Sequence, residues 1–485
     1  MRWKTTLVLL IVTVGLGSYV SLYELKQPPP EQREALAKEV VRLAPEDVTS
    51  LMVECPQAKV SLQRRNGSWR LVSPLAVRAD DALVRRLANE LDPLEAERAL
   101  ESSKDTPLAL GDFGLAPPQA TLVAIAGNRA VAVWVGKTTA VGANRYLKLA
   151  DSPKVFVASS RLYDAMNHSL DAYRSHELLD VDTWSATRIA VTSPHASYAL
   201  SKQTGAAPAG AGRWQLTEPL VDEADGAAVS ATLSKLSGLR VERFVSDAPT
   251  VEHLPEWGFD TPSAHITVAL DKEAKPLELF VGKPTADKPE QVYAKRTDEP
   301  TIYAVAKERV EELLQDPQGL RARTALDFFA HQVAKVHVSW QNASWTMENG
   351  KGQWELADGH RALDGSKVDE WLSKLRGVTL TRFVEDLVAP PAAESANGVT
   401  GGTDQPQHTS RYGLDPPKGT IQVWLTDQQE PKALFIGDAV DQGMARYGRI
   451  AGRASVIELP DTILGLLTTT PESFAAQAAS SPPKK

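Results

Sequence analysis

The chain has a single cysteine, Cys55, among 485 residues. One thiol cannot cross-link a fold, and it excludes a zinc site of the multi-cysteine kind. Cys55 continues an apolar alternation with Leu51 and Val53 and is read as a buried strand residue. Positive charge is also scarce: 53 Lys and Arg against 61 Asp and Glu leave a net charge of -8. A general nucleic-acid binder needs a basic face to displace counterions, so no nucleic-acid partner is expected. Catalytic signatures are missing too, since neither His-Glu-x-x-His nor Gly-x-Ser-x-Gly occurs. Gly136-Lys137-Thr138 ends like a phosphate-binding loop, but Val131 stands where that loop needs its first glycine. The segment is therefore expected to be a hairpin turn. His331 and His337 are the nearest histidine pair within one segment, and on a strand they would lie roughly 20 Å apart, too far for one metal. No catalytic, cofactor-binding or metal-ligating residue is assigned, and the chain is read as not an enzyme.

What is present begins with topology. Arg2 and Lys4 precede a charge-free run, Thr5 to Leu22. Eighteen helical residues rise about 27 Å, nearly the hydrocarbon thickness of a bilayer. Tyr19 and Tyr23 lie where an interfacial aromatic belt would sit. A cleaved signal peptide is the rival reading, because Gly15, Gly17 and Ser18 are small, yet they fall inside the apolar run. The expectation is an uncleaved anchor in residues 1–26, crossing the membrane through 5–22 with a short cytoplasmic flank, followed by a spacer in 27–44. With hydrophobic residues at 42% and charged residues at 24%, the remainder has the composition of a globular protein.

That remainder repeats. A Gly-x-Trp-x-Leu marker occurs at Gly67, Trp69 and Leu71, at Gly212, Trp214 and Leu216, and at Gly352, Trp354 and Leu356. Its tryptophans are 145 and 140 residues apart. After each comes one apolar helix face: Val84, Ala88 and Leu91; Val229, Leu233 and Leu236; Val368, Leu372 and Leu375. Asp80 with Asp81, Asp225 and Asp364 stand before those helices, where the positive N-terminal end favours acids. An arginine follows each (Arg98, Arg243, Arg382), opening Arg-Phe-Val in the last two copies, and its expected partner is a helix carboxylate. An aromatic-Gly turn then recurs at Phe113–Pro118, Trp257–Pro262 and Tyr412–Pro417, and an apolar-Gly pair at Val135-Gly136, Val281-Gly282 and Ile436-Gly437. Alternating strand pairs and a short terminal helix end each copy. Trp69, Trp214 and Trp354 recur in register and are read as core; Trp134, Trp340, Trp345 and Trp424 fall in strand patterns and are read as packed.

The fold class is therefore α+β: three tandem repeats, each a mostly antiparallel sheet with one or two packed helices, after an N-terminal transmembrane helix. The expected boundaries are 45–182, 183–327 and 328–473, with a disordered insertion in 388–410 and a disordered tail in 474–485.

The anchor, the Gly-x-Trp-x-Leu strand, the Gly-Leu-x-x-Pro turn, the Val-Gly-Lys segment and the tyrosine-led strand resemble the bacterial DUF4340 family, over roughly residues 1–470. Copy 3 departs at Gly437-Asp438, which lacks the lysine, and copy 1 has Arg98-Ala99 in place of Arg-Phe. The resemblance implies a single-pass protein of the bacterial inner membrane with its bulk in the periplasm. It also implies members encoded beside ABC-type exporters, and no established catalytic residues. The expected function is a non-catalytic accessory or scaffold subunit of an ABC-type export system, partnered by a permease or another inner-membrane protein. The alternative is an extracytoplasmic glycan- or lipid-binding module; a cell-envelope hydrolase ranks below both.

Overall fold

A computed structural model describes residues 38–475 apart from 102–107, 141, 204–212, 272, 274, 315, 351, 388–408, 427 and 441–442. The anchor expected in 1–26, most of the insertion and the tail from 476 lie outside the described residues. Among the described residues no helix is long and apolar enough to cross a membrane.

Copy 1 forms β1 (Glu39–Val41), β2 (Val48–Glu54), β3 (Lys59–Arg65), β4 (Ser68–Ser73) and β5 (Val77–Arg78), then helix α1 (Asp81–Asn89). Next come β6 (Leu94–Glu95), β7 (Arg98–Leu100), β8 (Ala120–Ala126), β9 (Arg129–Thr138), β10 (Asn144–Leu149), β11 (Val155–Ser159) and α2 (Arg161–Met166). The nine-stranded sheet has the order β5-β4-β3-β2-β8-β9-β10-β11-β7. Two meanders thus join through β2 and β8, and α1 carries the chain from one edge strand, β5, towards the other, β7.

Copy 2 repeats the order with β12 (Ala186–Thr192), β13 (Ser197–Lys202), β14 (Trp214–Glu218), β15 (Asp222–Glu223), α3 (Gly226–Ser237) and β16 (Val241–Ser246). It ends with β17 (Ala264–Leu270), β18 (Leu277–Pro284), β19 (Gln291–Arg296), β20 (Ile302–Ala306) and α4 (Lys307–Glu311). Copy 3 does so with β21 (Val333–Trp340), β22 (Ala343–Gly350), β23 (Gln353–Leu356), β24 (Arg361–Ala362), α5 (Gly365–Arg376) and β25 (Arg382–Asp386). Its last elements are β26 (Gly419–Leu425), β27 (Lys432–Ala439), β28 (Ala445–Ile450), β29 (Ser455–Pro460) and α6 (Thr462–Leu467). The α+β class and the repeated antiparallel sheets hold.

Local chemistry explains the elements. The carboxylates of Asp80, Asp225 and Asp364 each accept backbone N–H groups of the first helical turn, from Leu83 at 2.7 Å, Ala227 at 2.8 Å and Ser366 at 3.0 Å. The faces read from spacing point inward: Val84, Val229 and Val368 are fully buried, as are Leu236 and Leu375. Trp69, Trp214 and Trp354 are buried in the core.

Several expectations change. Residues 38–44, read as spacer, belong to copy 1: β1 pairs with β6, and Val41 and Leu43 are buried because apolar side chains there close the helix side of the sheet. At the other end, Phe474 is buried and Ala475 bridges Leu363, so the tail begins later than 474. Cys55 lies one residue past β2 and is half-buried, its thiol donating to the Ala58 carbonyl at 3.3 Å. Three repeats also do not make three separate compact units. Unit 1 is Met1–Leu178, Arg240–Val251 and Asp298–Val305; unit 2 is Leu179–Leu239, Glu252–Thr297 and Ala306–Lys485.

The segment Gly136-Lys137-Thr138 is no hairpin turn. Gly136, Gly282 and Gly437 lie inside β9, β18 and β27. A Cβ at these positions would sit 2.2 Å from the Phe113 carbonyl oxygen, 2.0 Å from that of Trp257 and 2.1 Å from that of Tyr412. The aromatic-Gly turn therefore lies directly on the strand glycine, and the two motifs recur together because each needs the other's missing side chain. Gly282→Ala is expected to lose about 3 kcal/mol by overpacking. Gly226→Ala, with open space around it, should be near neutral. Urea unfolding of both variants checks the contrast.

Candidate functional site

The largest fully buried side chains are two arginines that follow the terminal helix of a copy, Arg174 and Arg321. Both sit at the same place in the fold. Arg174 bridges Ala79 beside β5, and Arg321 bridges Ala224 beside β15. The residue before each arginine accepts a hydrogen bond from a helix N-cap: Asp80 N–H to Tyr173 at 3.0 Å, and Asp225 N–H to Leu320 at 2.8 Å.

Within unit 1, the Arg174 guanidinium donates to Asp247 at 2.6 Å and 3.3 Å and to the Thr301 hydroxyl at 3.2 Å. Its plane lies 3.6 Å over the Phe244 ring. Asp171 adds a contact at 3.3 Å. Beside it, Arg78 pairs with Glu299 at 3.2 Å and donates to the Glu177 and Leu178 carbonyls. Glu299 also accepts the Tyr303 hydroxyl at 2.5 Å.

Within unit 2, Arg321 donates to Asp222 at 2.6 Å, to Asp386 at 3.3 Å and to the Ser455 hydroxyl at 2.5 Å. Its guanidinium lies 3.5 Å over Phe383. Asp222 is shared: Arg453 donates to both its oxygens, at 2.6 Å and 3.0 Å, and to the Ala322 carbonyl at 2.8 Å. The Asp222 side chain is fully buried, so its charge is balanced by the two arginines rather than by water.

Each cluster is thus an arginine at the end of one copy held by an aromatic ring, an aspartate and a hydroxyl of the next. Stacking plus a bidentate carboxylate suits the planar guanidinium and no other cation as well. The arrangement can fix orientation. Each hydroxyl in turn donates to the aspartate beside it, Thr301 to Asp247 at 3.3 Å and Ser455 to Asp386 at 2.8 Å. Sequence motifs alone do not single out these arginines. Their signal is a recurrence, Arg174 with Leu179 and Asp180 against Arg321 with Leu326 and Asp327.

The residues that the motifs do single out lie elsewhere. Arg382 pairs across strands with Glu458 at 2.8 Å, not with a helix carboxylate, because β25 and β29 are neighbours and the side chains meet on one face. His331 falls in a short 3-10 turn and His337 in β21, where its ring contacts Thr346 at 2.9 Å. Among the described residues no group of three or more His, Cys, Asp or Glu is placed to hold a metal ion. Trp134 and Trp424 are half-buried under Lys148 and Lys335, and Trp340 under Arg446. Trp345 packs edge-on against Trp371 and Phe474. Trp184, by contrast, is 84% exposed.

Two depressions accompany these features in unit 2. One, of about 300 Å³, is lined by Arg213, Trp214, Asp327 and Lys432 next to Arg453. Arg213 is already paired with Asp327 at 2.9 Å. The other, of about 700 Å³, runs between α5 and α6 over Trp371 and Phe474, with Lys367 and Lys374 at its rim. Glu370, on the same helix face, is held below the usual carboxylate range by its hydrogen bond to Lys374.

The sequence model of a family described as "Domain of unknown function (DUF4340)" matches residues 69–208 and 214–400, starting both times at the recurrent tryptophan and covering more than half of the chain. No curated protein matches. If the arginines hold successive copies together, Arg321→Ala leaves the buried Asp222 with one of its two arginines and Asp386 without its buried partner, and should cost about 3 kcal/mol. Arg382→Ala removes a pair whose arginine is mostly exposed and should cost under about 1 kcal/mol. Chemical denaturation of the two variants separates these values.

Proposed function

That the chain belongs to the DUF4340 family is the premise from which we propose its function. It is a non-catalytic accessory or scaffold subunit of an ABC-type export system, anchored in the bacterial inner membrane through residues 5–22 with its bulk in the periplasm. The observation that carries this reading is the pair of buried arginine clusters. The largest fully buried side chains among the described residues, Arg174 and Arg321, are committed to fixing one repeat against the next, which is what a rigid spacer or adaptor requires. The charge-free run Thr5–Leu22 supports the anchor, and the lysine-arginine flank before it supports a cytoplasmic N-terminus. Partners are a permease or another inner-membrane protein, as the family resemblance implies.

A second reading, a glycan- or lipid-binding module, draws on the groove over Trp371 and Phe474, since aromatic side chains with polar rims suit such ligands. Purification of the full chain from native membranes in mild detergent discriminates the two. Recovery of a permease with its ATPase in fixed ratio is the expected result. Recovery of the chain alone with bound sugar or lipid overturns the transport reading in favour of the second.

A further inference from the structure

The two arginine clusters share one plan and differ in one respect. Cross-strand register makes Phe244, opposite Tyr303, equivalent to Phe383, opposite Ile457. By the same register Asp247 matches Asp386, Thr301 matches Ser455, and Glu299 matches Arg453. Ring, aspartate and hydroxyl are therefore kept. The fourth position reverses sign: it is Glu299 against Arg78 within unit 1, and Arg453 against Asp222 within unit 2. The partners also reverse, and they stand one place apart on equivalent two-residue strands, β5 and β15. All four charges are largely buried, with side-chain exposures of 14%, 2%, 7% and 0% for Arg78, Glu299, Arg453 and Asp222. A mismatch there would bury two like charges without water to screen them.

We propose that these two junctions are keyed by opposite polarity, so that the end face of each copy accepts its own successor and rejects the other. The end face of copy 1 offers Arg78 and takes a carboxylate. That of copy 2 offers Asp222 and takes a guanidinium. Tandem copies of one fold need such a device, because an otherwise identical ring, aspartate and hydroxyl would let copy 1 dock on copy 3 as readily as on copy 2.

The outward faces fit the same account. In copy 1 the ring position is Ala99, opposite Phe156, and the hydroxyl position is Lys154, paired with Glu101 at 2.7 Å. A lysine there repels an incoming arginine. In copy 3 the position of Arg174 and Arg321 is Ala475, which bridges Leu363 as they bridge Ala79 and Ala224. Neither face carries the key, so neither recruits a further copy of the chain.

The test is a charge exchange in the full chain, kept in mild detergent. Glu299→Arg combined with Arg453→Glu leaves composition and net charge unchanged, yet sets arginine against Arg78 and glutamate against Asp222. The expected result is a fall in Tm of at least about 5 °C. A second variant, Glu299→Arg with Val77→Asp and Arg78→Glu, copies the Asp222-Glu223 pair of β15 into β5. It is expected to regain at least half of the Tm lost by Glu299→Arg alone, and this comparison stands even where the exchanged protein fails to fold. An exchanged protein that melts within about 1 °C of the parent overturns the key, and so does a graft that regains nothing.

Discussion

Everything distinctive in this structure depends on a guanidinium taken out of water at the end of a repeat. An isolated buried cation costs several kcal/mol, and attraction to a partner offsets this only with near-complete hydrogen bonding. Arg174 and Arg321 share a ring beneath the plane, a carboxylate at the edge and a hydroxyl alongside, and Arg321 adds an Nε bond to Asp222 that Arg174 lacks. In each case the ring, the hydroxyl and one aspartate (Asp247 or Asp386) come from the following copy, whereas Asp171 and Asp222 belong to the arginine's own copy. The middle repeat is accordingly divided: Arg240–Val251 and Asp298–Val305, which supply the Arg174 partners, count with unit 1. A buried ion pair adds little net stability compared with well-packed apolar residues, so its value lies in orientation and choice of partner.

The second constraint is steric. The turn that carries Gly114, Gly258 or Gly413 lies across the strand that carries Gly136, Gly282 or Gly437, with backbone atoms where side chains would be. This latch clips the aromatic-Gly turn onto the helix-free face of the sheet. In copy 3 it shelters a small second cluster of Tyr412, Leu414 and Val456. Helix packing on one face and the latch on the other leave each sheet little freedom, which suits a part that transmits position.

Much of the fold is legible in the sequence. Trp69, Trp214 and Trp354, the three capping aspartates and the helix faces after them recur because each copy must close the same core, and that pattern survives in a linear string. The Gly136 segment misleads because glycine is a turn signal in general, and only the crossing carbonyl explains it at a strand position. The arginine clusters are harder still. Arg174 and its partners Asp247 and Thr301 lie 73 and 127 residues apart, and the polarity of the fourth position is visible only once the strands are paired. Arg382, which the repeat brings forward, is an ordinary cross-strand partner of Glu458. Residues 39–41 look like spacer because three residues are too few to show alternation.

The most direct measurement is native-state hydrogen exchange on the Asp80 and Val241 amides. The first bonds to Tyr173 and the second to His176, on either side of Arg174 in sequence. In the parent protein both are expected to be strongly protected and to open together, with one shared free energy. In Arg174→Ala both should lose protection by a similar factor while the Leu51 amide in β2 keeps most of its own. Independent opening of the two amides, or loss of protection at only one of them in the variant, would contradict the claim that this arginine joins successive repeats.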